Sequence, residues 1–311
     1  MKQTGIKVFA PASLSNLACG FDILGLALEA PGDEITAWFT DKKGLELVAI
    51  HGDKGLLPRD PTKNTATIAA QAMLDYLGEP DRGIAFELHK KMPFASGLGS
   101  SAASAVAGVM AINELLKKPL EKRDLLPFAM AGEYSVTGGW YTDNVAASLL
   151  GGIVLIRDGK SLDIHRLPVP KGLYVTVLHP HVQITTKETR NILKPDISLE
   201  SMVTQSGNLG GLIHGLYQSD FGLIGRSMRD AVIEEQRAPF IPGFYAMQEA
   251  AYKEGALGCS ISGSGPSVFA LCDNSLAAEN CGEKMAAIMH QLKQDYTLYY
   301  SRINQEGACK Y

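Results

Sequence analysis

The stretch PFASGLGSSAASAVAGVMAINEL, residues 93–115, decides how the rest of the chain is read. Two glycines, Gly97 and Gly99, and four serines, Ser96, Ser100, Ser101 and Ser104, crowd into a turn. The turn runs without a break into an alanine-rich helical pattern. A loop so poor in side chains offers chiefly its backbone. Successive amides in a glycine turn can point at one anion, and the helix end behind them carries roughly +0.5 of an elementary charge. Ala102, Ala103, Ala105 and Ala107 allow close helix packing. The competing reading is a serine-capped helix after a tight turn. Four small polar residues clustered at one cap favour phosphate binding.

Two named phosphate loops fit poorly. The pattern GxxxxGK[ST] is absent, because no Lys-Ser or Lys-Thr follows the glycines. The dinucleotide pattern GxGxxG/A is matched on paper by Gly97, Gly99 and Ala102. It requires a strand after the helix, ending in an acidic residue about 20 positions on. KKPLEKRDLLPFAMAGEY follows instead and reads as helical again.

Around this loop the chain reads as an ordinary globular protein. Its 311 residues suffice for about two domains of ~150 residues. A net charge of -4 without a long basic run argues against a general nucleic-acid or membrane-surface binder. No apolar run approaches the ~18 residues of a membrane span, and MKQTGIKVFAP is too polar for a signal peptide. Five cysteines without a CxxC indicate neither a disulfide framework nor a zinc site, and fit a reducing cytoplasm. The histidine pair His179-Pro-His181 reads as a strand-end loop rather than a metal site.

Alternation predicts strands at 6–12, 34–39, 44–50 and 84–88. Helical spacing covers 62–77, the stretch after the glycine loop to about Leu116, and 124–134. GGIVLIRDGKSLDIHRL reads as a hairpin turning at Asp158-Gly159. LPVPKG marks a boundary, giving domains at 1–165 and 166–311. Beyond it come the strand LYVTVL, helices at 199–218, 221–236 and 243–254, and a glycine turn entering a strand in CSISGSGPSVFAL. A helix at 275–294 and the strand TLYYSRI follow. Strands and helices mix without strict βαβ alternation, so the fold class is α+β with two domains.

PFASGLGSSAAS resembles the central ATP-binding motif of the GHMP kinases, small-metabolite kinases named for galactose, homoserine, mevalonate and phosphomevalonate. KVFAPASLSNLACGFDILGLAL (7–28) resembles the family's first motif, and GALGCSISGSGPSVFAL (255–271) its third. The resemblance therefore spans nearly the whole chain. It implies an N-terminal domain like ribosomal protein S5 domain 2 and a C-terminal ferredoxin-like α/β sandwich. Finer segments resemble the members that phosphorylate homoserine: TTKETRNIL (185–193), EEQRAPFIPGF (234–244) and TDNVAASLLGG (142–152). The implied reaction is ATP-dependent phosphorylation of the L-homoserine hydroxyl, a step toward threonine.

By that resemblance, the loop of Pro93, Phe94, Ala95, Ser96, Gly97, Leu98, Gly99, Ser100, Ser101, Ala102, Ala103 and Ser104 would hold the triphosphate. Ser101 and Glu133 would hold or orient Mg²⁺, and Asn64 would lie near the nucleoside, with a helix cap as its alternative role. Arg190 and Arg237 match the family's carboxylate-binding arginines, a task suited to a planar guanidinium. Asn16 and Asp22 match its polar contacts to the amino acid, and Thr186 and Gly263 fall within matching segments. Asn144 would sit beside the substrate hydroxyl, with Asp143 as a fallback base; a cap before VAASLLGG is the other reading of both. Tyr141 stands where homoserine-phosphorylating members commonly carry a histidine. Family members are often homodimers, although no heptad seam marks such an interface here.

Three alternatives remain open on sequence alone. Another GHMP kinase would act on mevalonate, a sugar or a polyol; a neutral sugar would give the arginine pair nothing to bind. A non-catalytic nucleotide sensor would keep the fold without turnover. A dinucleotide-binding dehydrogenase conflicts with the helix that follows the loop.

Overall fold

The computed structural model describes residues 5–182, 184 and 186–311, and the side chains of 137 and 186–188 lie outside that description. The first half builds one large sheet. Its strands are β1 (Ile6–Ser15), β2 (Leu24–Phe39), β3 (Leu45–His51), β4 (Ile84–His89), β5 (Ile153–Asp158) and β6 (Asp163–Leu167). Against it pack α1 (Thr65–Tyr76), α2 (Ser100–Leu115), α3 (Leu126–Thr137) and α4 (Thr142–Leu150). β3 runs parallel to β4, and the other pairings are antiparallel.

α2 is the centre of this half. Every residue from Ala102 to Asn113 is buried, as expected of a helix that is small and apolar on all sides. Its Gly108 lets α1 approach: a Cβ there would stand 2.2 Å from the Ala66 carbonyl oxygen. Phe86 and Leu88 of β4 are fully buried in the same core, each stabilising by roughly 1.5–3 kcal/mol.

The second half forms a four-stranded antiparallel sheet from β7 (Tyr174–Pro180), β8 (Gly258–Ile261), β9 (Val268–Cys272) and β10 (Tyr296–Arg302), in the order β10-β7-β9-β8. α5 (Thr186–Asn191), α6 (Leu199–Gln218), α7 (Phe221–Ser227) and α8 (Glu234–Arg237) lie between β7 and β8 in the chain, followed by α9 (Phe244–Lys253). α9 and α10 (Ser275–Gln291) cover the sheet over a core of Phe244, Met247, Val268 and Met285. β11 (Cys309–Lys310) returns to pair with β1, and Glu29 N–H donates to Ser301 Oγ at 2.8 Å, so the last segment stitches both sheets together.

The mixed helix-and-sheet class matches expectation, and several details differ from it. β2 begins at Leu24, ten residues before the alternating run at 34–39, because Pro31 and Gly32 read as a break although the strand passes through them. The expected helix at 221–236 is two short helices. The Asp230 carboxylate accepts from Val232, Ile233 and Glu234 N–H, at 2.8, 3.0 and 3.0 Å, and so replaces helical bonds with a local turn. The β5–β6 hairpin has a four-residue connection, and its left-handed residue is Leu162 rather than Gly159. Asp143 and Asn144 do not cap α4; they lie inside its first turn, and Tyr141 occupies the cap position. His179 is the penultimate residue of β7, buried, its Nδ1 within 3.2 Å of Ser267 Oγ, in keeping with a strand end.

Candidate active site

The glycine loop joins β4 to α2 and is shaped by left-handed residues at Ala95, Gly97 and Gly99. At Gly97 a Cβ would stand 2.2 Å from the Ser262 carbonyl oxygen; at Gly99 it would stand 2.2 Å from Ser13 Oγ. Both positions therefore require glycine, because the loop is pressed between the first and third motifs. Its carbonyls turn into the protein. Ser267 N–H donates to Ser96 O at 3.2 Å, Ser262 Oγ to Gly97 O at 2.6 Å, and Ser13 N–H to Leu98 O at 3.1 Å. In a planar trans peptide the next N–H points the opposite way. The amides of Gly97 and Gly99 thereby point away from these partners, and both residues line the cleft beside the uncapped first turn of α2.

Behind the loop lies a cation that sequence reasoning missed. Lys90, buried at the end of β4, holds the Asp33 carboxylate and donates to Ser100 O at 2.9 Å and Ser104 Oγ at 2.8 Å. Asp33 also accepts from Ser104 Oγ at 3.0 Å. Ser104 is thus hydrogen-bonded at the edge of the cleft, and the start of α2 is pinned from below. Nothing in the spacing of Asp33 and Lys90 marks them as partners.

One cleft of about 690 Å³ gathers the candidate residues, within the usual range for a small-ligand site. Leu57, Pro58, Lys63 and Asn64 contribute its wall near α1; the loop contributes Phe94 to Gly97 and Gly99 to Ser101. Lys90, Ser104, Glu133, Asp143, Asn144, Tyr141, Asn16, Asp22, Arg190, Arg237 and Gly263 also line it. Pro93, Leu98, Ala102 and Ala103 do not line it, and the last three are fully buried in the core. The Thr186 side chain lies outside the described residues. Asn64 does cap α1, accepting from Ala66 N–H at 3.1 Å, and its amide donates to Pro58 O at 3.1 Å while its edge faces the cleft.

Ser101 Oγ donates to Glu133 Oε1 at 3.0 Å, joining the first turn of α2 to the second half of α3. Burial pushes the Glu133 carboxyl up to about 7, and the nearby Asp143 charge adds to this; the Ser101 bond and Lys90 oppose it. A hydroxyl beside a buried carboxylate is a hard-oxygen donor pair that suits Mg²⁺. Ser100 Oγ is buried without a hydrogen-bond partner among the described residues. An orphaned hydroxyl beside the loop's amides fits a phosphate oxygen.

Asn144 is held in one orientation. Ser13 Oγ donates to its Oδ1 at 2.8 Å, and its Nδ2 donates to Ser15 Oγ at 3.1 Å and Asp143 Oδ1 at 3.3 Å. Both amide protons are thus used, leaving one lone pair on Oδ1. Asp143 is 3% exposed, and burial first, then the Asp22 charge, raises its carboxyl to about 6.

On the facing wall the two arginines converge. Arg190 grips Asp22 through two bonds of 2.8 and 3.0 Å, and its guanidinium lies 5.0 Å from the Phe21 ring centre and 4.6 Å from that of Tyr141. Arg237, 3% exposed, donates to Gly263 O at 2.7 Å and lies 5.3 Å from the Phe21 ring centre. Burial and then the Arg190 charge lower its guanidinium to about 10. The Nε atoms of both arginines are buried without a partner among the described residues. Arg237 is a desolvated cation beside Arg190, whose charge Asp22 already pairs, so the wall carries an excess positive charge that suits an anion. Asn16, by contrast, is used within the protein: Nδ2 donates to Gly263 O at 3.0 Å and Oδ1 accepts from Asp22 N–H at 3.1 Å. Phe21 carried no signal beyond its place beside Asp22.

A cleft that joins a glycine loop at a helix start, a hydroxyl–carboxylate pair and an arginine pair fits a phosphotransferase. Comparison with known proteins agrees. The family models "GHMP kinases N terminal domain" and "GHMP kinases C terminal" match residues 64–152 and 212–291. The chain belongs to the GHMP kinase family. It is 43% identical over 319 residues to the homoserine kinase of Chloroherpeton thalassium, covering 99% of each chain. The crystal structure of the homoserine kinase from Cytophaga hutchinsonii superposes with a TM-score of 0.97 at 50% identity, covering 100% of this chain and 98% of that one. L. major mevalonate kinase, at 17% identity and a TM-score of 0.73, shares the fold. No helix among the described residues is long and apolar enough to cross a membrane.

Proposed function

We propose that this chain transfers the γ-phosphoryl group of ATP to the side-chain hydroxyl of L-homoserine, giving O-phospho-L-homoserine, a step toward threonine. The observation that carries the reading is the wall of Asp22, Arg190 and Arg237. It offers two cations for a carboxylate and one carboxylate for an ammonium, which is the charge pattern of an amino acid. Mevalonate has no ammonium and a neutral sugar has neither group.

In this reading the amides of Gly97 and Gly99, the first turn of α2 and Ser100 hold the triphosphate, with Asn64 near the nucleoside. Ser101 and Glu133 hold Mg²⁺, which when bound would neutralise charge on the phosphates. The free lone pair of Asn144 Oδ1 accepts the substrate hydroxyl proton as a hydrogen bond and aims the oxygen. Asp143 lies against Asn144 and is the fallback acceptor for the proton. An amide is no base at neutral pH, so rate acceleration rests mainly on alignment and electrostatic stabilisation. Tyr141 stacks on Arg190 and stiffens it, a task a histidine ring would share.

The test is a steady-state assay of ADP release with ATP, Mg²⁺ and L-homoserine, with D-homoserine and mevalonate as controls. Turnover that prefers L-homoserine supports the reading. Equal or greater turnover of mevalonate, or none with any of the three, contradicts it.

A further inference from the structure

A second cluster of ligand-bearing side chains lies outside the cleft, on the outward face of the large sheet. His51 ends the edge strand β3; Glu87 and His89 stand two residues apart on β4. His51 and His89 are register partners across the parallel pair. The two imidazoles stack with centres 4.6 Å apart and planes at 20°. Their Nε2 atoms lie 2.8 and 3.2 Å from the same oxygen, Glu87 Oε1. The three donor atoms all fall within 4.8 Å of one another.

We propose that His51, Glu87 and His89 form a binding site for a divalent first-row transition metal, with Zn²⁺ as the favoured ion. Metal–nitrogen and metal–oxygen bonds near 2.0–2.1 Å in a tetrahedron place neighbouring ligands ~3.3 Å apart. The two nitrogen–oxygen separations are near that edge length, and the two imidazoles must turn out of their stack to aim both ring nitrogens at one ion. Two imidazoles and a carboxylate select Zn²⁺ and its neighbours over Mg²⁺, which prefers oxygen.

The backbone under the site is fixed. Lys90 N–H donates to His51 O at 2.8 Å, and the next residue, Gly52, is left-handed with its Cα against the Lys90 carbonyl. Strands, not loops, therefore set the spacing of the ligands. The side chains of His51, Glu87 and His89 are 53%, 34% and 32% exposed, which leaves room for an ion to enter and for water to complete its shell. Glu34, opposite His89 on β2, does not compete: Lys7, Lys91 and Tyr311 already hold it. A bound ion would clip the edge strand to its neighbour.

The experiment is a titration of the full chain with Co²⁺ and, separately, Zn²⁺, in a large excess of Mg²⁺ to fill the oxygen site in the cleft. The wild-type protein is expected to bind one equivalent, with the visible absorption of nitrogen-ligated Co²⁺, and its melting midpoint should rise with Zn²⁺. A His51→Ala/His89→Ala double variant should bind at least tenfold more weakly and show no such rise. Glu87→Gln, which keeps the side-chain volume, should also weaken binding, whereas Glu133→Gln should not. Absence of binding in the wild type, or wild-type affinity in both the double variant and Glu87→Gln, overturns the proposal.

Discussion

Arg190 and Asp22 clasp each other with two parallel hydrogen bonds of 2.8 and 3.0 Å, so each candidate contact for the amino acid is positioned by the other. The pair is part-exposed, and such pairs add at most ~1 kcal/mol to stability. Its value is orientation. Arg190→Lys keeps the charge and loses the fork, and is expected to raise KM for homoserine about 10- to 100-fold with a small change in melting temperature. Asp22→Asn should do the same, and the double variant should be less than additive. Additive losses measured by steady-state kinetics would show that the two act separately.

Ser100 and Gly97 separate binding from folding. Ser100 Oγ has no partner among the described residues, so Ser100→Ala should leave the melting temperature unchanged and raise KM for ATP about tenfold. Gly97→Ala forces a Cβ to 2.2 Å from the Ser262 carbonyl at a left-handed residue. It should lower stability by about 1–3 kcal/mol or more and impair ATP binding together. A stable Gly97→Ala protein with normal KM would contradict the packing described for the loop.

Glu133 gives a pH dependence with a definite sign. Its carboxyl is raised from the ordinary 4.5 to about 7, chiefly by burial. The protonated group therefore stabilises the metal-free fold. That contribution is full below 4.5 and is lost as pH rises through about 7. Holding a metal requires the carboxylate. The apparent affinity for Mg²⁺ should fall as pH is lowered from about 8 to about 6, measured from the Mg²⁺ dependence of turnover. Metal-free Glu133→Gln should melt higher than wild type at about pH 8 and turn over poorly. A Mg²⁺ dependence that is flat across this range would remove Glu133 from the metal site.

The order of elements was largely legible, because alternation, helical spacing and Gly/Pro punctuation act locally. The loop at 93–104 could be read for the same reason: its chemistry is backbone chemistry written in consecutive residues. What escaped was long-range or carried by single side chains. The Asp33–Lys90 pair spans 57 positions. The stacking of Phe21 under both arginines has no pattern along the chain. Asp230 breaks a helix through side-chain bonds to three amides that periodicity does not register. Asn16, read as a substrate contact, lines the cleft, and its bond to Gly263, which fastens the first motif to the third, had no signal along the chain.

Ser13 fixes Asn144, and the pair offers a test of alignment. Ser13→Ala frees one side of the Asn144 amide, so kcat should fall about tenfold with KM for both substrates nearly unchanged. Asp143→Asn should retain turnover to within about tenfold, in line with catalysis by alignment. A loss of ~10²–10⁴ in kcat would assign proton abstraction to Asp143 instead.

The most direct measurement is a crystal structure with a non-hydrolysable ATP analogue, Mg²⁺ and L-homoserine. Phosphate oxygens are expected within about 3.2 Å of the amides of Gly97, Gly99 and the first turn of α2, with the amino-acid carboxylate on Arg190 and Arg237. A triphosphate bound elsewhere, with the turn from Pro93 to Ser104 closed against its neighbours, would contradict the account.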